Sequence, residues 1–536
     1  MNRLYYGDNL TVLRESIPTE SVDLIYLDPP FNSKRDYNLL FKSPKGQSSE
    51  ASIEAFEDTW HWNEQAEREF DEILHQPNTD VAQVMQALRT FLGENDMMAY
   101  LTMMANRLLE LHRVLRPSGS LYLHCDPTAS HYLKIVLDGV FGKLNFQNEI
   151  IWKRTNAHNF KTKGYARAHD VIFFYTKTTE FTFNEIYTEY GEAQMKRFKP
   201  DENGRLFKAE NMTFSTPNKS RQFEWRGTKP PDNRSWGASI EQLERWWAEG
   251  RILKRQDGSP RMDGLKIYLD ETKGVPLSTC WTDIDRVGNT SDERLGYPTQ
   301  KPQALLERLI SASSNEDDVV LDPFCGCGTA VHVAQKTGRR WIGIDITHLA
   351  ISLIEKRLRD AFKTGLEFEV HGTPKDLDAA RDLATRDKYQ FQWWAVSLVD
   401  AQPFQGKKKG ADGGVDGIKY FRDLARKEAL KIVVSVKGGG NLKADDVRSI
   451  MAVREREGAE IAIFISLEEP SRGMIADAAS AGFYESANGR KFARVQLLTI
   501  ADLLSGKARA EHPDYEPNLN FKKAKKESSG AQPDLL

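Results

Sequence analysis

Two short apolar runs each stop at an Asp-Pro, and that repeated punctuation constrains the fold more than any other feature. Residues 22–27, Val-Asp-Leu-Ile-Tyr-Leu, run into Asp28-Pro29-Pro30-Phe31. Residues 319–321, Val-Val-Leu, run into Asp322-Pro323-Phe324-Cys325-Gly326-Cys327-Gly328-Thr329. A mostly apolar run suits a strand covered on both faces. Proline cannot continue a sheet ladder, so each acid opens a loop at a strand's carboxyl end, which is where open α/β sheets bind ligands. Helical spacing follows both units. Over 96–115 the apolar residues Met103, Leu108, Leu111 and Leu115 share a face, and Pro117 and Gly119 end the pattern before a strand over 120–124. A helix begins over 330–336 with Gly338 where a C-cap belongs, and a strand over 341–346 carries Asp345 near its end. The expected fold class is therefore α/β.

The rest of the 536 residues fits several domains at roughly 150 residues each. We read 1–185 as the unit carrying the Asp28 loop and 186–296 as an inserted region. Residues 297–375 form the unit with the Gly-rich turn, 376–392 a linker helix, 393–505 a small α/β domain, and 506–536 a polar, disordered tail. Between 42 and 95 lies an insertion with Trp60, Trp62 and a helical run, readable as a lid or as an added bundle. Lys+Arg 74 against Asp+Glu 77 excludes a uniformly basic nucleic-acid coat protein but leaves room for a local basic face. No apolar run approaches the roughly 18 residues of a membrane span, and the first residues lack a signal-peptide core. The four cysteines, Cys125, Cys280, Cys325 and Cys327, match neither a disulfide framework nor a zinc site. The expectation is a cytoplasmic protein without membrane attachment or a structural metal.

The turns carry the chemistry. Gly326 and Gly328 let the backbone approach a ligand closely. Asp345, 23 positions after Asp322, is placed to accept hydrogen bonds from a ribose diol. No third glycine completes a G-x-G-x-x-G pattern, which disfavours a pyrophosphate cradle and a dehydrogenase. A nucleoside site fits, as does a plain strand-to-helix turn. In the other loop, the Asp28 carboxylate and the Pro29 carbonyl make an acceptor pair. An exocyclic amino group is a poor nucleophile because its lone pair is delocalised into the ring. Two acceptors that hold both its protons let the nitrogen become tetrahedral, and paired prolines preorganise them. Phe31 offers a face on which an extruded base can stack. Alone, this loop reads equally as a capped surface turn.

Together the two motifs resemble the amino-group DNA methyltransferases that use S-adenosylmethionine. Their order, Asp-Pro-Pro-Phe before the Gly-rich turn, is that of the beta-type permuted subgroup. Tyr297-Pro298-Thr299-Gln300-Lys301-Pro302 and Tyr6-Gly7-Asp8-Asn9 look like its cofactor contacts. The resemblance covers roughly 1–375. It implies a Rossmann-like, circularly permuted fold with an inserted target-recognition region, and it implies residue roles. Asp322, Phe324, Gly326, Gly328 and Thr329 would line the methionine end of the cofactor. Asp345 would take the ribose. Asp8, Thr299 and Lys301 would lie around the adenosine part. Asp28, Pro29, Pro30 and Phe31 would hold the target base. A leading Asp favours adenine N6 and leaves cytosine N4 as the alternative. No metal is needed for transfer. The implied partner is double-stranded DNA, and a homodimer is compatible with the sequence.

Residues 195–263 hold 15 Lys/Arg against 10 Asp/Glu, interleaved with Phe198, Phe207, Phe214, Phe223, Trp225, Trp236, Trp246 and Trp247. Basic side chains suit phosphates and base edges, so 186–290 is expected to read the DNA site. The competing reading is a small subdomain whose tryptophans are core.

Asp412-Gly413-Gly414-Val415-Asp416-Gly417 precedes a strand over 431–437 that ends in Ser435-Val436-Lys437. This piece is similar to the Mrr-like branch of the restriction-endonuclease-like fold, with Asp416 and Lys437 on the pattern. Ser435 stands where an acid or Gln is expected, and a neutral hydroxyl is a poor magnesium ligand. Mg2+ is thus implied only if this domain cleaves DNA, and a non-catalytic DNA-binding or scaffold domain is favoured. The readings to separate are a methyltransferase with an appended nuclease-like domain, a restriction and modification enzyme in one chain, and a module that only senses DNA. His124, His169, Cys325 and Cys327 are expected to be structural.

Overall fold

The computed structural model describes residues 1–30, 60–156, 165–288, 291–295, 297, 299–362, 366–404, 414–424 and 428–513, and the backbone of 36–42 and 48–57. Phe31 lies outside the described residues. Two compact units appear, one of Met1–Asn184 with the chain from Thr279 onward, the other of Glu185–Ser278.

The first unit is built on a nine-stranded sheet: β1 (Asn2–Tyr6), β2 (Val22–Leu27), β3 (Leu115–Cys125), β4 (Phe146–Lys153), β5 (His169–Thr176), β6 (Cys280–Trp281), β7 (Val319–Asp322), β8 (Arg340–Asp345) and β9 (Phe368–His371). Their order across the sheet is β6-β4-β5-β3-β2-β7-β8-β1-β9. Every strand runs parallel except β5, which is antiparallel to both neighbours. The runs 22–27 and 319–322 therefore lie side by side, Val320 opposite Leu24 and Leu321 opposite Ile25. Both are buried through their centres, as apolar strands covered on two faces must be.

Helices cover the sheet. α1 (Asn9–Ser16) is capped by the Asp8 carboxylate, which accepts from the Thr11 N–H at 3.1 Å. The insertion forms a bundle: α2 (Glu64–Leu74) and α3 (Thr79–Leu92) pack with α4 (Asp96–Val114) and α5 (Ser130–Phe141) through Phe70, Ile73, Val81, Met85, Leu101 and Leu108. α6 (Gln303–Ser313), α7 (Thr329–Lys336) and α8 (His348–Ala361) complete the layers.

The same unit continues into a five-stranded sheet, Gln402–Pro403, Gly417–Phe421, Leu430–Lys437, Ile461–Ser466 and Val495–Thr499 in that spatial order. The expected linker helix over 376–392 is two helices instead, α9 (Leu377–Arg386) and α10 (Lys388–Ser397). They are not a linker, because Ala380, Leu383, Phe391, Trp394 and Val396 are buried in the core of this second sheet. The tail also begins later than Gly506. Ala508 and Ala510 pack on that core, and His512 is buried with its ring 5.8 Å from that of Phe421. Residues 514–536 lie outside the described residues.

Where the sequence sets the insertion at 186–296, the second compact unit ends at Ser278, since Cys280–Trp281 pairs with β4 in the large sheet. Among its described residues that unit has a four-stranded sheet, two two-stranded pairings, a short helix Glu192–Met195 and a longer one, Ile240–Ala248. Its core is Met212, Trp225, Trp236, Leu243, Ile252 and Leu265, so two of its tryptophans are core residues. Among the described residues no helix is long and apolar enough to cross a membrane.

Candidate functional site

Four adjacent parallel strands, β2, β7, β8 and β1, end on the same edge of the sheet, and their loops enclose a cavity of about 260 Å3. Asp28, Pro29 and Pro30 line it from β2; Asp322, Phe324, Cys325, Gly326, Cys327 and Thr329 from β7; Asp345 and Thr347 from β8; and Gly7 and Asp8 from β1. Thr299 and Lys301 reach it from the segment before α6. Trp60, from the insertion, also lines it, and its indole N–H has no hydrogen-bond partner among the described residues. Gly328 lies in the turn but does not line the cavity; it serves the turn's shape.

The turn after β7 is folded by its own backbone needs. Gly326 and Gly328 adopt φ of +49° and +71°, a region that side chains rarely enter. A Cβ on Gly328 would meet Cγ1 of the buried Ile354 at 2.7 Å, so the turn packs directly on α8. Asp345 ties the two loops together. Its Oδ2 accepts from the Gly326 N–H at 2.9 Å, and its Oδ1 accepts from the Thr347 N–H and hydroxyl, each at 2.9 Å. Burial pushes its carboxyl up to about 6, against the pull of these donors. Burial also pushes the Asp322 carboxyl well above the usual carboxylate range. Thr329, buried behind the turn, accepts from Arg357 Nη1 at 3.1 Å.

The Asp28 loop is held from an unexpected direction. Lys301 Nζ donates to Asp28 Oδ2, and both side chains are nearly out of solvent, 10% and 14% exposed. The other oxygen, Oδ1, is buried and has no hydrogen-bond partner among the described residues. Lys301, expected around the adenosine part, thus has its ammonium on Asp28, the acid expected to hold the target base. Below the loop, the Tyr26 hydroxyl meets His124 Nδ1 at 3.0 Å, and His124 Nε2 meets Asp170 Oδ2 at 3.3 Å. Burial raises the Asp170 carboxyl, but His124, Lys301 and Arg154 together hold it below its ordinary value. His124 is fully buried in this network, as expected of a structural histidine.

Sequence reasoning missed Arg107 and named Asn9 only as part of the Tyr6-Gly7-Asp8-Asn9 stretch. Arg107 Nη2 donates to Asp8 Oδ2 at 2.8 Å, and its Nε donates to Asn9 Oδ1 at 2.6 Å. Asn9 Nδ2 then donates to the Pro323 carbonyl at 2.9 Å, which joins the chain's first helix to the Gly-rich turn. The signal was an arginine at i+4 from Met103 and i−4 from Leu111 on the buried stripe of α4. The cysteines are free thiols; Cys325 and Cys327 are buried and their thiols raised by burial. Among the described residues no cluster of His, Cys, Asp or Glu could hold a metal.

In the second sheet the Asp416 carboxylate serves its own fold. Its Oδ2 accepts from the Val436 N–H at 2.7 Å and the Ser435 hydroxyl at 3.3 Å, and its Oδ1 accepts from Gln392 Nε2 at 3.1 Å. Lys437 turns to Asp446, at 3.2 Å. Among the described residues this places one carboxylate beside a neutral hydroxyl, a poorer Mg2+ ligand than a second carboxylate.

An α/β sheet with a nucleoside-sized cavity at four strand ends, closed by a Gly-rich turn and an Asp-Pro-Pro loop, defines a Rossmann-like enzyme class. The DNA methylase family matches residues 22–356, and the chain belongs to that family. Residues 383–505 match the Mrr-type restriction endonuclease family. The chain is 30% identical over 261 residues to the Type II methyltransferase M.EcaI of Enterobacter cloacae, covering 48% of this chain and 57% of that one. It is 25% identical over 346 residues to the StyLTI Mod subunit, a Type III restriction-modification enzyme of Salmonella typhimurium, covering 62% and 49%. With the DNA adenine methyltransferase YhdJ of Escherichia coli it shares 25% over 357 residues, covering 66% and 82%. The chain therefore spans only about half the length of the first two relatives.

Proposed function

We propose that the protein transfers a methyl group from S-adenosylmethionine to the exocyclic amino nitrogen of a base in double-stranded DNA, at adenine N6. The observation that carries this reading is the buried Asp28 Oδ1, an acceptor without a partner at the wall of the cavity that Asp345 and the Gly-rich turn also line. The residues present fit the cofactor. Asp345 offers remaining lone pairs to a ribose diol, the Gly326 turn admits a close backbone approach, and Asp322 closes the floor. S-adenosylmethionine, when bound, supplies a methyl carbon made electrophilic by its sulfonium, so no metal is required.

The chain's own part is to make the amino nitrogen nucleophilic. Asp28 Oδ1 and the Pro29 carbonyl each accept one amino proton of an extruded base, which draws the nitrogen toward tetrahedral geometry. Pro29 and Pro30 keep the acceptors in place, so little reorganisation is left to the reaction. As the nitrogen bonded to the methyl carbon, the carbon–sulfur bond would break to leave a neutral thioether, and one amino proton would leave through the Asp28 acceptor. The base is drawn from the duplex by contacts assigned to the Glu185–Ser278 unit. There, Lys196, Lys199, Lys219, Lys229, Arg245 and Arg255 are exposed and form no ion pair among the described residues. Such cations suit phosphates. Cytosine N4 presents the same amino chemistry and is the alternative target. The permuted order of the two halves belongs to this reading.

For the Mrr-type domain we favour DNA binding or scaffolding over cleavage, on the donor set around Asp416. The test of the main reading is Asp28→Ala in the full chain. Methylation of unmethylated DNA is expected to vanish while S-adenosylmethionine still binds. Full activity in that variant overturns the assignment.

A further inference from the structure

We propose that Lys301 is a positioning residue for Asp28: its ammonium fixes one carboxylate oxygen so that the other alone is presented to the target amino group. The proposal rests on the methyl-transfer reading and deepens it. A free aspartate rotates broadly about its terminal torsion and presents either oxygen. Here Oδ2 is taken by Lys301 and Oδ1 is left, buried and without a partner. The two residues lie 273 positions apart, so the contact is made by the fold and not by a local turn.

Lys301 is itself held in place. Gln300 Nε2 donates to the Glu293 carbonyl at 2.5 Å, and Gln300 Oε1 accepts from the Leu295 N–H at 2.8 Å. The Gln303 N–H donates to the Glu293 carboxylate at 3.0 Å, and Pro302 occupies the N-cap position of α6. The lysine therefore projects from a braced segment, next to a helix start with restricted backbone. Its charge also suits its place. Asp28, Asp322 and Asp345 line one cavity with Lys301. Asp28 and Asp345 each raise the Asp322 carboxyl while Lys301 lowers it. A compact point charge among crowded carboxylates both pairs one acid and relieves the others. The role differs from a contact with the cofactor's adenosine, which would change binding and not the transfer step.

Kinetics separate the two roles. The full-length protein and its K301M, K301R, D28N and K301M/D28N variants are compared by tritiated methyl transfer to unmethylated DNA, by calorimetric binding of S-adenosylmethionine, and by thermal unfolding without cofactor. K301M is expected to lose about 100-fold in kcat, the size of loss that a misplacement of about 1 Å produces, with cofactor Kd within about threefold of wild type. K301R, which keeps the charge, should recover part of that loss. In unfolding, K301M and D28N should each lower Tm, and the double variant should lower it less than their sum, since each single change strands a buried charge. If K301M is too unstable to assay, the double variant is expected to fold again; failure to do so overturns the pairing. A K301M protein that loses cofactor affinity while keeping kcat at saturation overturns the proposal, as do additive Tm changes. A wild-type protein that binds cofactor but methylates no DNA overturns the methyl-transfer reading itself, and the positioning role with it.

Discussion

Gly328→Ala isolates the physical demand of the Gly-rich turn. Gly328 sits at φ +71°, and a left-handed conformation costs an L-residue about 1–2 kcal/mol. Its new methyl would stand 2.7 Å from Ile354 Cγ1, 3.2 Å from Cγ2 and 3.4 Å from Cβ. Ile354 is fully buried on α8 and β-branched, so it has one comfortable rotamer in a helix and cannot swing away. Forcing a methyl into such packing costs about 1–3 kcal/mol more. The expected total is about 2–5 kcal/mol. Gly458→Ala is the control: it ends the helix Ala444–Arg456 in a Schellman turn at φ +61°, and nothing lies within 4 Å of the added carbon, so only the left-handed cost applies. Urea unfolding of both variants gives the difference, and calorimetry gives the loss of S-adenosylmethionine affinity that should accompany a displaced turn. If Gly328→Ala costs no more than Gly458→Ala, the packing of the turn on α8 is not what demands glycine there.

The pH dependence follows from Asp345. A ribose diol needs the ionised carboxylate, and burial holds this group at about 6. Cofactor affinity should therefore fall as pH drops through 6, approaching tenfold per unit below it, and Asp345→Asn should flatten the profile; calorimetric Kd at pH 5 and 7.5 decides. Without cofactor the sign is opposite. The folded carboxyl holds its proton more tightly than the unfolded one, whose value is 3.8. Its contribution to stability is thus fully present below about 3.8 and is lost as pH rises through about 6, which thermal unfolding across that window can follow. For the Mrr-type domain, incubation with unmethylated DNA and Mg2+ should give no cuts; cleavage that disappears in Asp416→Ala would reverse that assignment.

Local sequence carried the elements that punctuation defines. The strand over 22–27, the turn at 322–329 and the acid at 345 appear where prolines, glycines and apolar runs place them, because each depends on neighbours a few residues away. What failed was anything decided by burial against distant chain. Residues 376–392 read as a linker helix, yet Ala380, Leu383 and Phe391 complete the core of the second sheet. Residues 508–512 read as tail, yet they pack on the same core.

The sequence by itself determined two ligand-facing loops and the residue types within them, since backbone restriction by Pro and Gly acts within a single turn. Only the tertiary structure decided which partners those residues meet. Strand order sets β2 beside β7, and that order brings Lys301 to Asp28 and Asn9 to Pro323. Pairings across some three hundred residues are fixed by which strands share hydrogen bonds, a choice the global burial of apolar faces makes and no local spacing encodes.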